Sequence, residues 1–288
     1  MSTSIAAPSA DRMRASTTLA ASLLAVPPVA FLVAAFAVPM AIVFLLAVRG
    51  PEGFTLQHLV AFFATPAGRT MAANTVAYGI GTGIICCILG FPLGYVISRA
   101  GPRGQVVLIV LTFLPLCTSV IIKGFAITLL LKSNGIVNST LMALGIVDAP
   151  VRLIFTEVAL FVGSVNVFLP FAVLPVYAVL AERGRDLEDA AATLGCSPAF
   201  ALFRIVLPLA RPGLLAAFSI VAAQAMSAYV VPTLLIGDRF RVLSRGAYDA
   251  YILHDPVGAS VAALVLLLTA LGIVALANRI GGTKRAVP

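Results

Sequence analysis

The sequence has few charged residues, few cysteines and no tryptophan. Only 10% of its 288 residues are charged, whereas a soluble globular domain has about 25%. Its four cysteines and two histidines show no spacing typical of a disulfide scaffold or a zinc site. Its 19 lysine and arginine residues form no basic patch with interleaved aromatics, which argues against nucleic acid as a partner.

Long apolar runs fill most of the chain instead. Apolar residues make up 61% of the sequence, and the mean hydropathy is +1.09. A helix needs about 20 apolar residues to cross the hydrocarbon core of a bilayer. Six runs meet this length, so the sequence predicts an all-α membrane protein with six transmembrane helices. The predicted spans are residues 19–48, 72–97, 106–131, 153–180, 214–236 and 256–278.

The basic residues predict how these segments are arranged across a membrane. With both termini in the cytoplasm, inner segments carry eleven lysines and arginines and outer segments carry seven, and this bias favours that orientation. The predicted organisation is then a disordered cytoplasmic tail, a first transmembrane helix, a periplasmic interfacial segment, a core of five further spans and a second cytoplasmic tail. Their bounds are 1–18, 19–48, 49–70, 71–279 and 280–288.

One polar stretch, residues 182–212, interrupts the core on the predicted cytoplasmic side, and we call it the coupling loop. Asp186 can cap a first helix, and Gly195 is a natural helix stop. Ser197 and Pro198 are typical of a second helix start, and we expect that helix to end near Pro208. The apolar face of the first helix contains Leu187, Ala190, Ala191 and Leu194.

The coupling loop carries a recognisable pattern. From Asp189 it reads D-A-A-x-x-x-G, then nine residues, then I-V-L-P ending at Pro208. This resembles the EAA loop of the permease subunits of bacterial ABC importers, with Asp189 where that family usually has glutamate. The stretches around residues 114–163 and 227–240, with DPVGAS at 255–260, resemble the spermidine/putrescine branch of these permeases.

The resemblance implies the type I ABC importer permease fold, with a cytoplasmic helix-turn-helix that docks on an ABC ATPase dimer. It also implies a bacterial inner-membrane location and a second permease subunit that forms a heterodimer with this chain. It further implies a periplasmic or lipid-anchored solute-binding protein that docks on residues 132–152 and 238–255. No cofactor is expected in this chain, because it has no phosphate loop; ATP and magnesium belong to the ATPase. The residues expected to contact the ATPase are Glu188, Asp189, Ala190, Ala191, Gly195, Ser197, Phe200, Phe203, Arg204, Ile205, Leu207 and Pro208.

Polar residues inside the predicted spans are candidates for a solute pathway. They are Asn74, Lys123, Glu157, Asn166, Gln224, Ser227 and Tyr229. Intramembrane ionisable groups are costly and face protein, water or an interface. Lys123 can therefore reach the interface, line a cavity or pair with Glu157, and helix–helix hydrogen bonds explain the uncharged residues equally well.

Two other functional classes remain open at this point. A six-helix secondary carrier would show repeat symmetry and paired intramembrane carboxylates, and the sequence shows neither. A membrane enzyme is disfavoured because no acid/base pair or activated nucleophile is present, and no metal site is expected. Within the importer class, the solute is expected to be a polyamine, with phosphonate, opine, iron, thiamine and amino acid as alternatives.

Overall fold

The computed structural model describes residues 10–50, 53–182, 186–237 and 240–281, and these residues are mostly helical. A short antiparallel hairpin, β1 (Arg49–Gly50) and β2 (Gly53–Phe54), follows the first helix. The helices are α1 (Ala10–Val48), α2 (Gln57–Ala64), α3 (Pro66–Arg99), α4 (Pro102–Phe113), α5 (Val120–Leu131), α6 (Ile136–Ala143), α7 (Glu157–Glu182), α8 (Asp186–Thr193), α9 (Pro198–Ala201), α10 (Leu207–Ser227), α11 (Val230–Leu235), α12 (Leu243–Ile252) and α13 (Pro256–Gly281).

Parts of five predicted segments lie outside the described residues. They are residues 1–9 of the first tail, 51–52 of the interfacial segment, 183–185 of the coupling loop, 238–239 of the predicted docking segment 238–255 and 282–288 of the second tail. Residues 10–18 were predicted to be disordered, but they form the beginning of α1. Alanine, arginine and methionine, which are frequent there, all favour a helix, and this local preference accounts for the difference.

Six helical segments of the described chain are long and apolar enough to cross a membrane, which confirms the predicted number. They are Val26–Val48, Pro66–Arg99, Val120–Ala143, Glu157–Glu182, Pro198–Ser227 and Pro256–Arg279. The first of these packs along α13 and leaves most of its apolar side chains exposed. An apolar surface of this kind is suited to contact with lipid.

Two of the predicted spans are not continuous helices. The run 106–131 is divided into α4, a 3₁₀ turn at Leu114–Cys117 and α5. Pro115 lies in that turn, and the Ser119 side chain accepts a hydrogen bond from the Ile121 N–H at 3.3 Å, so that a new helix begins there. The run 214–236 is likewise divided, because the backbone is extended at Ala228 between α10 and α11.

The core of the molecule is formed by α3, α7 and α10, which pack side by side. Leu160, Val176 and Val221 are fully buried there. Small residues let the helices approach closely, as expected for helix packing in lipid. For example, a Cβ atom on Gly213 of α10 would lie 2.8 Å from the carbonyl oxygen of Pro175 of α7. The two helices flanking the coupling loop are therefore tightly packed against each other.

Candidate coupling site and solute pathway

The turn of the coupling loop is a helix C-terminal motif centred on Gly195. The Cys196 N–H donates to the Ala191 carbonyl, and the Gly195 N–H donates to the Ala192 carbonyl, each at 3.0 Å. These two bonds define a Schellman motif. Gly195 has φ of +78°, a left-handed conformation that strains residues with a Cβ atom. Gly195 thus ends α8 at the position that the sequence predicts.

The second helix of the coupling loop begins as predicted but does not end at Pro208. The Ser197 hydroxyl accepts a hydrogen bond from the Phe200 N–H at 3.3 Å, and Pro198 occupies the first turn. The chain then passes through a π-helical turn, Leu202–Val206, directly into α10. Pro208 is the second residue of α10. The wider π turn before it, in which the Leu207 N–H donates to the Leu202 carbonyl, accommodates the proline and keeps the helical path unbroken. The coupling loop is therefore continuous with the fifth membrane helix.

The surface of the coupling loop presents several large apolar side chains. Leu194 is 84% exposed, Phe203 is 63% exposed and Phe200 is 52% exposed. Asp189, Ala190, Arg204 and Pro208 are also exposed beside them, whereas Ile205 and Leu207 are half-buried. Ala191 is the buried residue of α8, so the predicted apolar stripe is divided between the two sides of the helix. Exposed large apolar side chains bordered by charged residues are typical of a protein contact surface.

Glu188, which is among the residues expected to contact the ATPase, lies outside this exposed patch, and only 19% of its side chain is exposed. Its carboxylate accepts a hydrogen bond from the Tyr95 hydroxyl at 2.8 Å and forms an ion pair with Arg99. Tyr95 and Arg99 are one helical turn apart near the end of α3. They attract Glu188 inward because a half-buried carboxylate needs donors to offset its lost hydration. The first helix of the coupling loop is thereby attached to α3.

The predicted pathway residues form no single cluster. Ser227 donates a hydrogen bond to the Gln224 carbonyl at 3.0 Å, and the Tyr229 ring lies 4.4 Å from the Tyr248 ring, so these residues group at the end of α10. Asn74 donates to the Arg241 carbonyl at 3.1 Å and fixes the segment before α12. Asn166 is exposed on α7 and lines a cavity of about 360 Å³ between α3, α4 and α7.

The two charged pathway residues are separate from each other. Lys123 of α5 is buried, with 9% of its surface exposed, and Glu157 at the beginning of α7 is exposed. Within the described ranges these two side chains form no ion pair, so that predicted alternative is wrong. A buried lysine in a membrane helix is expensive to desolvate and is a functional candidate for that reason.

Both segments predicted as outer loops contain helices. Residues 132–152 include α6, which also belongs to the candidate span Val120–Ala143, and residues 238–255 include α12. Asn138 is fully buried and holds the first segment together. Its amide donates to the carbonyls of Lys132 and Val151, each at 3.0 Å, and its oxygen accepts from the Val151 N–H at 2.9 Å. These segments are therefore ordered surfaces.

Sequence reasoning missed Tyr95, Arg99 and Asn138 as organising residues. Tyr95 and Arg99 lie where the apolar sequence of α3 gives way to polar residues. This position is the feature of the sequence that could have identified them. Asn138 follows the Asn-Gly turn signal at residues 134–135. Among the residues that the structure describes, no group of three histidine, cysteine, aspartate or glutamate side chains could hold a metal ion.

Comparison with known proteins assigns the chain to a family. Residues 90–279 match the family described as the binding-protein-dependent transport system inner membrane component. The spermidine/putrescine transport system permease protein PotB of Haemophilus influenzae is 32% identical over 195 residues, which cover 67% of this chain and 68% of that protein. The molybdenum transport system permease protein ModB of Mycobacterium bovis is 28% identical over 214 residues, covering 73% and 78% of the two chains.

A solved structure gives the same fold. A chain of a bacterial alginate ABC transporter, crystallised in complex with an alginate pentasaccharide-bound periplasmic protein, superposes with a TM-score of 0.75. The match covers 95% of this chain and 98% of that chain at 20% sequence identity. The family match and the PotB relative confirm the predicted importer resemblance. The chain belongs to the binding-protein-dependent inner membrane components, and it is a non-catalytic permease subunit of an ABC importer.

Proposed function

We propose that the coupling loop docks on a cytoplasmic ABC ATPase dimer and transmits its closure to the membrane helices. The observation that carries this proposal is the exposed apolar patch, Leu194, Phe200 and Phe203, on a helix that continues directly into α10. Burial of one such side chain in a partner stabilises an interface by about 1.5–3 kcal/mol. ATP and magnesium are bound by the ATPase, and both termini of this chain lie in the cytoplasm.

The exposed patch accounts for the roles assigned to individual residues. Phe200 and Phe203 are the apolar anchors, and the exposed Asp189 and Arg204 form the polar rim. The small side chain of the exposed Ala190 allows the partner surface to approach α8 closely, whereas Ala191 is buried and packs α8 against the rest of the chain. Gly195 and Ser197 fix the angle between the two helices through their caps. Ile205, Leu207 and Pro208 connect the docking surface to α10.

The remaining partners lie in and above the membrane. A second permease subunit completes the pathway between the two chains, and a periplasmic or lipid-anchored binding protein delivers the solute. The segments 132–152 and 238–255 are the surfaces on which that protein docks. Asn74, Gln224, Ser227 and Tyr229, which group towards the same end of the bundle as α12, belong to the pathway entrance.

The solute that the relatives favour is a polyamine such as spermidine or putrescine, as the name of the Haemophilus influenzae relative states. One observation supports a second candidate, a small oxyanion. Lys123 is a buried cation in a membrane helix, and a cation in the pathway would repel a polyamine but attract an anion. The Mycobacterium bovis relative is named as a molybdenum transport protein.

Uptake into proteoliposomes tests the function and separates the solutes. The complex is reconstituted with ATP trapped inside and the cognate binding protein outside, and labelled spermidine and molybdate are supplied in parallel. We expect accumulation of spermidine only when ATP is present. Accumulation of molybdate alone would assign the oxyanion, and uptake driven by an ion gradient without ATP would contradict the proposed mechanism.

A further inference from the structure

Three residues fasten the coupling loop to the end of α3, and we call Tyr95, Arg99 and Glu188 the clasp. Both carboxylate oxygens of Glu188 are engaged, one by the Tyr95 hydroxyl at 2.8 Å and the other by the Arg99 guanidinium. Arg99 also donates to the Leu180 carbonyl at the end of α7, at 3.4 Å, and its guanidinium lies 5.5 Å from the centre of the Tyr95 ring. The clasp thus joins α3, α7 and α8.

The clasp is protected from solvent. The side chains of Arg99 and Glu188 are only 13% and 19% exposed. Hydrogen bonds between charged groups in such surroundings are about twice as strong as bonds between neutral groups. We expect side chains held in this way to move together. An ion pair exposed at the surface would contribute little to stability.

The attachments of the coupling loop explain why the clasp matters. Its second helix continues into α10 through the π turn. Its first helix, α8, contacts that second helix and the π turn, and Glu188 connects α8 to α3. A displacement of the docking surface could therefore reach α10 through the backbone and α3 through the clasp.

We propose that Tyr95, Arg99 and Glu188 are positioning residues that transmit the movement of α8 to α3, so that α3 and α10 move as one unit during the transport cycle. This inference rests on the proposed docking of the coupling loop on an ATPase. It assigns a role to Glu188 that is separate from contact with the ATPase. It also predicts that coupling depends on the opposite charges at positions 99 and 188, whichever residue carries the positive charge.

A charge exchange in the reconstituted complex tests the clasp. Arg99→Glu, Glu188→Arg and the double exchange are compared for solute transported per ATP hydrolysed. Each single variant leaves a buried charge opposite a like charge, so we expect this ratio to fall about tenfold while ATP hydrolysis continues. The double variant restores the pair, and we expect its ratio to return to within about threefold of the wild type.

The matched control is Arg103→Glu, which reverses an exposed charge four residues along the chain from Arg99 and is expected to leave the ratio unchanged. If the reversed charges prevent assembly of the complex, Glu188→Gln and Tyr95→Phe test whether the clasp is needed for coupling. Both substitutions leave the size of the side chain nearly unchanged. We expect both to lower the ratio about threefold. A wild-type ratio in all assembled variants, or no recovery in the double variant, would overturn the clasp. Loss of ATP-dependent uptake in the wild type would instead overturn the proposed function.

Discussion

Gly195→Pro is expected to abolish ATP-driven uptake while the protein still inserts into the membrane. Proline cannot adopt the left-handed φ of +78° found at this position, and it lacks the N–H that bonds to the Ala192 carbonyl. The turn would then open and move Phe200 and Phe203 away from their docking positions. If the substitution destabilises the docked conformation by about 3 kcal/mol, the uptake rate falls by about a hundredfold.

Gly195→Asn is the control for this variant. Asparagine tolerates the left-handed conformation better than other residues with a Cβ atom, and no atom lies within 4 Å of a Cβ built at this position. We expect uptake within about threefold of the wild type. Equal uptake by the proline and wild-type proteins would show that the geometry of this turn has no part in coupling.

Gly213→Val is expected to destabilise the helical core. Its Cβ would lie 2.8 Å from the Pro175 carbonyl oxygen and 3.0 Å from the Val176 Cα, and both contacts are backbone atoms that cannot rotate away. The two helices must separate, at a cost of about 1–3 kcal/mol. We expect the midpoint of thermal unfolding of the detergent-solubilised protein to fall by several degrees.

Gly272→Val provides a matched comparison within α13. Nothing lies within 4 Å of a Cβ at Gly272, and valine has a higher helix propensity than glycine. Its unfolding midpoint should equal or exceed that of the wild type. Equal midpoints for the Gly213 and Gly272 variants would contradict the close packing of α7 on α10.

The sequence predicts features of this protein that depend on local signals. The number of spans follows from the length of the apolar runs, and the end of α8 follows from Gly195, because both are determined by neighbouring residues. The break between α4 and α5 was missed because Pro115 and Ser119 lie within one long apolar run, where a kink and a break look alike in sequence.

Sequence patterns do not identify side chains that interact but lie far apart in the chain. Glu188 and Arg99 are 89 residues apart, and nothing in the local pattern of α8 distinguishes Glu188 from the exposed Asp189. The continuity of α9 with α10 was missed for a different reason. Pro208 was expected to stop the helix, but the π turn before it accommodates the proline in the first turn of α10.

The most direct test of the coupling loop is photo-cross-linking from position 203 in the assembled complex. Phe203 is 63% exposed, so the larger side chain of benzoylphenylalanine can point into open space at this position. Phe36, which is 72% exposed on α1, is the matched control on the lipid-facing side. We predict a cross-link from position 203 to the ATPase subunit and none from position 36. An intact, ATP-hydrolysing complex with no cross-link from position 203 would contradict the docking of the coupling loop on the ATPase.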